Sequence, residues 1–324
     1  MFALALALSG LAAGFSAEIN WTIGGIGAQR WVLSDNAHGR ISNGSLIPQA
    51  YVTALSQTPG VTGAAGLVVL PQQAAQINGQ TKTVLVFGVE LGNIGDPEVT
   101  SGQALSGTGQ VVADTRAGAG VGSQITVGST SFRVVGQVVN RTMLAGTPIV
   151  FMSLHDAQAL DLGGRPLITA VMTRGVPSQA PAGLDVLTNS EVEQDNLSPL
   201  GGAVSSIDNT RILMWVVAAI IVAALLYVSA LQRVRDFAVL KALGSSSLVL
   251  FESLALQAVV VTLLAAVFAA VLANFLGVLF AQPVVIPASA FATLPVIAIA
   301  VGLVSSLVAV RRATSADPAA AFGG

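Results

Sequence analysis

The stretch Arg235-Asp236-Phe237-Ala238-Val239-Leu240-Lys241-Ala242-Leu243-Gly244 holds the side chains best suited to act on another molecule. As a helix it sets Phe237, Leu240 and Leu243 at i, i+3 and i+6 on one apolar face, with Arg235, Asp236 and Lys241 beside them. Such a face suits noncovalent docking. It can enter a groove on a partner protein, with the charges orienting it, or lie in a membrane interface with its basic residues among anionic headgroups. Covalent chemistry has little to work with. His38 and His155 are the only histidines, cysteine is absent, and no spacing joins a nucleophile to a base or builds a metal cage. No Gly-x-x-x-x-Gly-Lys-Ser/Thr loop occurs to cradle nucleotide phosphates.

The elements that must position this stretch are membrane helices. The chain is 53% hydrophobic and 9% charged, where a soluble protein carries about a quarter charged residues. Residues 212–231 contain no charge, and at about 1.5 Å per residue they span the roughly 30 Å hydrocarbon core of a bilayer. Further apolar blocks run over 1–16, 248–280 and 288–310, so four transmembrane helices are expected. The first block is short for a crossing and has no basic residue ahead of it. It reads as a transmembrane helix with upstream residues outside this sequence, in preference to a cleaved signal peptide. In the third block Ala265, Ala269, Ala273 and Gly277 repeat at intervals of four, a small-residue stripe that lets another helix approach, in the same chain or in a second copy. Glu252, Gln257 and Asn274 are polar positions in or beside that block, read as structural hydrogen-bonding groups.

Orientation follows from basic residues in short loops. Arg233, Arg235 and Lys241 lie between the second and third blocks, Arg311 and Arg312 follow the fourth, and none lies between Gln282 and Pro287. The loop carrying the docking stretch and the C-terminus are therefore expected in the cytoplasm. Residues 17–205, which hold most of the charge, then lie outside it.

That long insertion reads as a folded α+β domain. Strands are expected at 29–33, 81–89, 110–113, 123–127, 131–139 and 168–173, with a tight turn at Asn78-Gly79. Helices are expected at 48–57, with Pro48 in the first turn, and at 153–160, capped by Ser153. A polar helix over 191–210 should lead into the second membrane helix, broken or kinked at Pro199-Leu200-Gly201-Gly202. A net charge of −2 and the lack of a basic stripe argue against nucleic acid as a partner.

With these residues in hand the chain resembles permease subunits of the MacB/FtsX-type (type VII, mechanotransmission) ABC transporters, and among them DevC-like and actinobacterial members. The resemblance rests on Arg233-Val-Arg-Asp-Phe-Ala-Val-Leu-Lys-Ala-Leu-Gly244, on Glu252, on Ser131-Phe-Arg-Val-Val-Gly136 and on Asp317-Pro318-Ala319. It implies an α-helical integral membrane protein with four transmembrane helices and a large extracytoplasmic α+β domain between helices 1 and 2. The implied divisions are 1–16, a MacB-like periplasmic core domain over 17–205, and an FtsX-like permease domain over 206–324 whose coupling helix is 234–244. It also implies a non-catalytic subunit in a bacterial cell membrane. Its expected partners are two copies of a separate ATPase, which binds the ATP and Mg, a second copy of the permease, the bilayer, and an extracytoplasmic adaptor or envelope protein. Export of a lipid, peptide or drug-like substrate is the function implied first. Regulation of extracytoplasmic cell-wall hydrolysis, as by FtsX, and glutamine-type amino-acid transport are the alternatives.

Overall fold

The computed structural model describes residues 1–41, 45–232, 239, 247–276 and 283–314. The chain divides into two compact units, one of residues Phe15–Gly201 and one of Met1–Gly14 with Gly202–Gly324.

The first unit is built on a mixed sheet. The unit's strands are β1 (Arg30–Ser34), β2 (Ile47–Pro48), β3 (Val61–Ile77), β4 (Gln80–Val89), β5 (Ser101–Gly102), β6 (Gln110–Asp114), β7 (Gln124–Val127), β8 (Thr130–Val138), β9 (Thr142–Met143), β10 (Thr147–Ser153), β11 (Leu167–Ile168), β12 (Ala170–Gly175) and β13 (Leu184–Leu187), of which β2 and β11 pair apart from the main sheet. The principal order is β13-β1-β12-β3-β4-β10-β6-β8-β5, and β7 bridges β3 to β8. The pairings β3-β4-β10-β6-β8-β7-β3 thus close a ring of six strands, with β4-β10 and β6-β8 parallel and the other pairs antiparallel. The long hairpin β3-β4 turns on Asn78 and Gly79, both at positive φ (51° and 78°), the backbone that a two-residue turn of this kind demands.

Both faces of the central strands are buried, and the side chains separate by the strand period of two. Val68, Val84, Val86, Val111, Ala113, Val150 and Met152 belong to one core. Their neighbours Leu67, Val69, Leu85, Phe87, Val112, Ile149 and Phe151 belong to the other, where Phe87 and Phe151 meet edge to face at 5.6 Å. Helices α2 (Ala50–Ser56) and α3 (Leu154–Asp161) contribute Leu55, Leu154 and Ala157 to the first core. Ser153 caps α3 by accepting from the Asp156 amide at 3.1 Å.

The second core receives Ile19 and Ile23 from α1 (Phe2–Gly25) and Val192 from α4 (Asn189–Leu197). α1 is longer than the apolar block that signals it, continuing nine residues past Ser16 through Glu18, Asn20 and Thr22, because those residues lie among partners of the β-rich unit. Pro48 is not in the first turn of a helix: it belongs to β2, and α2 starts at Ala50. The α-helix is interrupted at Pro199, as its residue type requires. Pro199 sits in a 3₁₀ turn, Ser198–Leu200, between α4 and α5 (Gly201–Gln232), where its missing N–H costs nothing. The expected strand at 168–173 is interrupted at Thr169, whose hydroxyl bonds to both the carbonyl of Leu67 and the amide of Val69.

The second unit adds α6 (Ser247–Leu276) and α7 (Ala288–Thr314). Among the described residues, three helical stretches are long and apolar enough to cross a membrane: Phe2–Gly25, a segment within Asn189–Ser229, and Ala255–Ala273. Ala288–Val304 is apolar and shorter. A cluster of Phe2, Ala3, Leu6, Ala218, Ala266, Ala269, Ala273 and Val301 ties the helices of this unit together.

Candidate functional site

The docking residues Arg235, Asp236, Phe237, Leu240, Lys241, Leu243 and Gly244 lie outside the described residues; Val239, between them, is helical and exposed. Of the small-residue stripe, Ala269 and Ala273 are buried in the helix cluster, Ala265 is partly buried against it, and Gly277 lies outside the described residues. Ala266, one position off the expected register, is also buried there. Glu252 is exposed and Gln257 half-buried. Among the described residues, no group of three or more His, Asp or Glu side chains is arranged to hold a metal ion.

The most concentrated polar chemistry forms a collar within the β-rich unit, around the last turns of α1. Gly146 donates its N–H to Glu18 Oε1 at 2.7 Å, Thr22 Oγ1 donates to the Thr142 carbonyl at 2.8 Å, and Arg141 Nη1 donates to the Trp21 carbonyl at 2.7 Å. The cationic guanidinium therefore meets the negative end of a helix, where carbonyls lack intrahelical partners. Gly25 gives it room, since a Cβ there would collide with the guanidinium of Arg141.

The collar loop is held from behind by Asp114, which is fully buried at the end of β6. Its Oδ1 accepts from the Arg116 amide at 2.9 Å and its Oδ2 from the Arg141 amide at 2.8 Å. Burial pushes the Asp114 carboxyl above its usual range, against the pull of those two N–H bonds and the nearby guanidinium charges. Burial likewise lowers the Arg141 guanidinium below its usual value, with Glu98 and Asp114 opposing.

Two features mark the collar as more than a packing contact. Glu18 and Thr142 are almost wholly buried, yet Glu18 Oε2 and Thr142 Oγ1 make no hydrogen bond of good geometry, although the hydroxyl lies near the carboxyl. Leu144 and Ala145 hold left-handed backbone at φ 55° and 65°, which costs a non-glycine residue about 1–2 kcal/mol each. The bonds from Gly146 to Glu18 and from Thr147 Oγ1 to the Leu144 carbonyl, 3.2 Å, bracket that strained pair.

In the helical unit, α1 is approached closely by residues 283–286. The Val285 amide donates to the Gly10 carbonyl at 2.9 Å. A Cβ on Gly10 would lie 2.6 Å from Val284 Cγ1, and one on Gly14 would strike the Pro283 carbonyl. Beside this contact a half-open cleft of about 550 Å³ is lined by α1, α5, α7 and Pro287. Neither the collar nor the cleft was an expectation from sequence. The available signals were Gly10-Leu-Ala-Ala-Gly14, a Gly-x-x-x-Gly step in an apolar helix, and Glu18, an acid following an apolar run.

Membrane-length helices, with a β-rich unit inserted in sequence between the first and the rest, describe a membrane protein that carries a large folded domain. Comparison with known proteins agrees. Residues 211–318 match the family described as FtsX-like permease C-terminal. A protein of Mycobacterium bovis named as an uncharacterized ABC transporter permease is 37% identical over 324 residues, covering 100% of this chain and 93% of the relative. One of Mycobacterium tuberculosis with the same description is 38% identical over the same coverage. The chain belongs to the FtsX-like ABC transporter permeases. It is thus a membrane protein whose family works with an ATPase subunit. The chain is also loosely similar to the periplasmic region of MacB from Actinobacillus actinomycetemcomitans, with a TM-score of 0.38 and 13% identity over 54% of this chain and 96% of that one.

Proposed function

We propose that this permease is a non-catalytic transducer that passes the motion of a separate ATPase to an extracytoplasmic domain, in the export of a lipid, peptide or drug-like substrate. Four helices cross a bacterial cell membrane: α1, α5, α6 and α7. The β-rich unit lies outside the cytoplasm and the C-terminus inside. Two permeases work with two ATPase subunits, which bind the ATP and Mg; the outer domain meets an envelope partner or adaptor. Residues 234–244 dock with the ATPase, Phe237, Leu240 and Leu243 supplying the apolar face.

The observation that supports this reading best is that α1 is a single helix from Phe2 to Gly25 whose last turns are bonded to Arg141, Thr142 and Gly146. A helix with one end in the membrane and the other bonded to a strained loop is suited to carrying displacement, because moving the loop would relieve its backbone strain. Nucleotide binding shifts the permease between two arrangements only by its differential affinity for them.

The test is co-expression with the ATPase encoded beside the gene and purification through a tag on the permease. The ATPase should co-elute with the wild type and be lost with Leu240→Asp, while the β-rich unit keeps its thermal transition. Co-elution undiminished in Leu240→Asp would remove the docking assignment.

A further inference from the structure

We propose that the cleft between α1, α5 and α7 binds one phospholipid carrying a phosphate and a primary ammonium, with the phosphate at Arg211 and the ammonium at Asp208. The volume of about 550 Å³ suits the headgroup and part of one acyl chain, the rest of the lipid lying on the open side.

The cleft is polar at one end and apolar at the other. Phe2 packs on Trp215 with ring centroids 5.3 Å apart, and Arg211 Nη1 donates to Ser9 Oγ at 3.3 Å, so α1 and α5 run antiparallel. Gly14 faces Pro283 and Gly10 faces Ile286, which runs the entry to α7 the same way as α5. Ser9, Asp208, Arg211 and Ser289 therefore gather toward the end where α5 enters the unit, whereas Leu6, Trp215 and Ile297, with Thr293 as the one polar side chain among them, line the deeper part. From Pro287 to Ile297 the helical rise is about 15 Å, half of a roughly 30 Å hydrocarbon core. That is the depth of one leaflet, and so the reach of an acyl chain whose headgroup stays at the polar end.

The charges select the headgroup. Arg211 Nη2 meets Asp208 Oδ1 at 3.0 Å, and the two side chains are 34% and 41% exposed. A pair this open, three residues apart on one helix, contributes little to stability, so the fold gives no strong reason for it. Its accessibility does. Arg211 carries five N–H donors, and the bonds to Asp208 and Ser9 account for two of them. Asp208 meets Arg211 through Oδ1, and its second oxygen is the acceptor an ammonium would take. Because the pair sums to zero, a headgroup that is only anionic meets Asp208 as an opposing charge. One that carries both signs matches both side chains, and only a primary ammonium can also donate hydrogen bonds to the carboxylate.

The proposal needs the chain to sit in a membrane but does not depend on what the complex transports. It is tested on the full chain in phosphatidylcholine vesicles doped with equal mole fractions of brominated-chain phosphatidylethanolamine, phosphatidylglycerol or phosphatidylcholine. Bromine quenches nearby tryptophan, and subtracting the signal of Trp215→Phe isolates Trp215. The ethanolamine lipid should occupy the site with about five-fold preference over the other two, the scale of one partly exposed ion pair. Arg211→Gln and Asp208→Asn should each abolish the preference while leaving the emission of Trp21 and Trp31 unchanged, which reports that the β-rich unit is intact. Equal quenching by all three lipids, or a preference that survives both substitutions, would mean bulk lipid only and overturn the site. A preference for the glycerol lipid would overturn the role of Asp208. Co-elution of the ATPase is read separately, so loss of this site and loss of the docking assignment are distinguishable.

Discussion

Replacing Glu18 by Gln or by Ala should separate what its two carboxylate oxygens do. Oε1 accepts the Gly146 N–H at 2.7 Å, a bond to a charged acceptor worth about 1.5–3 kcal/mol net. Oε2 is buried without a partner, which costs about 1–3 kcal/mol or more for a charged group. Glu18→Gln keeps the first bond in neutral form, losing roughly 1 kcal/mol, and puts an NH2 donor where Thr142 Oγ1 can accept it. The net expectation is a unit unchanged or about 2 kcal/mol more stable. Glu18→Ala orphans the Gly146 amide at about 1–3 kcal/mol, removes one buried methylene at about 0.8 kcal/mol and leaves a cavity costing about 1 kcal/mol, less what deleting the unpartnered Oε2 and relaxing Leu144 and Ala145 recover. A net loss of about 1–2 kcal/mol remains. For a domain of this size each kcal/mol moves Tm by about 2–4 °C. Glu18→Ala should therefore melt roughly 5 °C lower, and Glu18→Gln at or above the wild type. The assay is thermal unfolding of the full chain in detergent, followed through Trp21 and Trp31, which lie in the β-rich unit. A Gln variant as unstable as the Ala variant would show that the charge itself is held by a partner, and the account of the collar would fail.

Other expectations follow from the same geometry. Asp114 has a folded-state pKa above its reference of 3.8, so between those values the native state binds more protons than the unfolded chain. Its contribution is complete below about pH 3.8 and lost as pH rises through the raised value. Urea unfolding of wild type and Asp114→Asn should therefore show the wild type losing ground to the variant as pH climbs from about 4, and a pH-independent difference would refute the assignment. Ala145→Gly should stabilise the unit by about 0.5–1 kcal/mol, since φ 65° strains alanine and suits glycine; a lower urea midpoint would contradict the strain. Gly14→Val should displace residues 283–286 from α1, because its Cβ meets a backbone carbonyl and not a movable side-chain end. Faster hydrogen exchange at the Val285 amide, which Gly10 accepts in the wild type, would report it.

How much of this was legible depended on where each signal resides. Asn78-Gly79 and the Ser153 cap are local chemistry, and both fall where the residue types put them. The strands near 81–89, 110–113 and 131–139 keep enough β-branched residues to be seen. β3 and β10 were missed because residues 64–70 of β3 and 148–153 of β10 are buried on both faces, so the alternation of apolar and polar residues that marks a half-exposed strand is absent there. β3 adds Gly63-Ala-Ala-Gly66 and the bulge between Leu70 and Gln73, with Gln72 at φ 53°, and so imitates a loop.

The collar was hidden more deeply, because none of its members is a motif. Glu18, Thr22, Asp114, Arg141 and Gly146 come from one helix, one strand end and one loop; folding brings them together across as many as 128 positions of sequence. Its arrangement also runs against economy. A hydrophobic contact would fasten the end of α1 at no desolvation cost, whereas this loop buries two carboxylates, leaves one oxygen unmatched and holds two residues in left-handed backbone. Buried polar networks of this kind are weak devices for raising stability and effective ones for fixing a single register. Release of such a contact would let Leu144 and Ala145 relax and bring Glu18 to water. A strained contact that release would relax is what a joint requires if displacement of a membrane helix is to become a change in the domain that receives it.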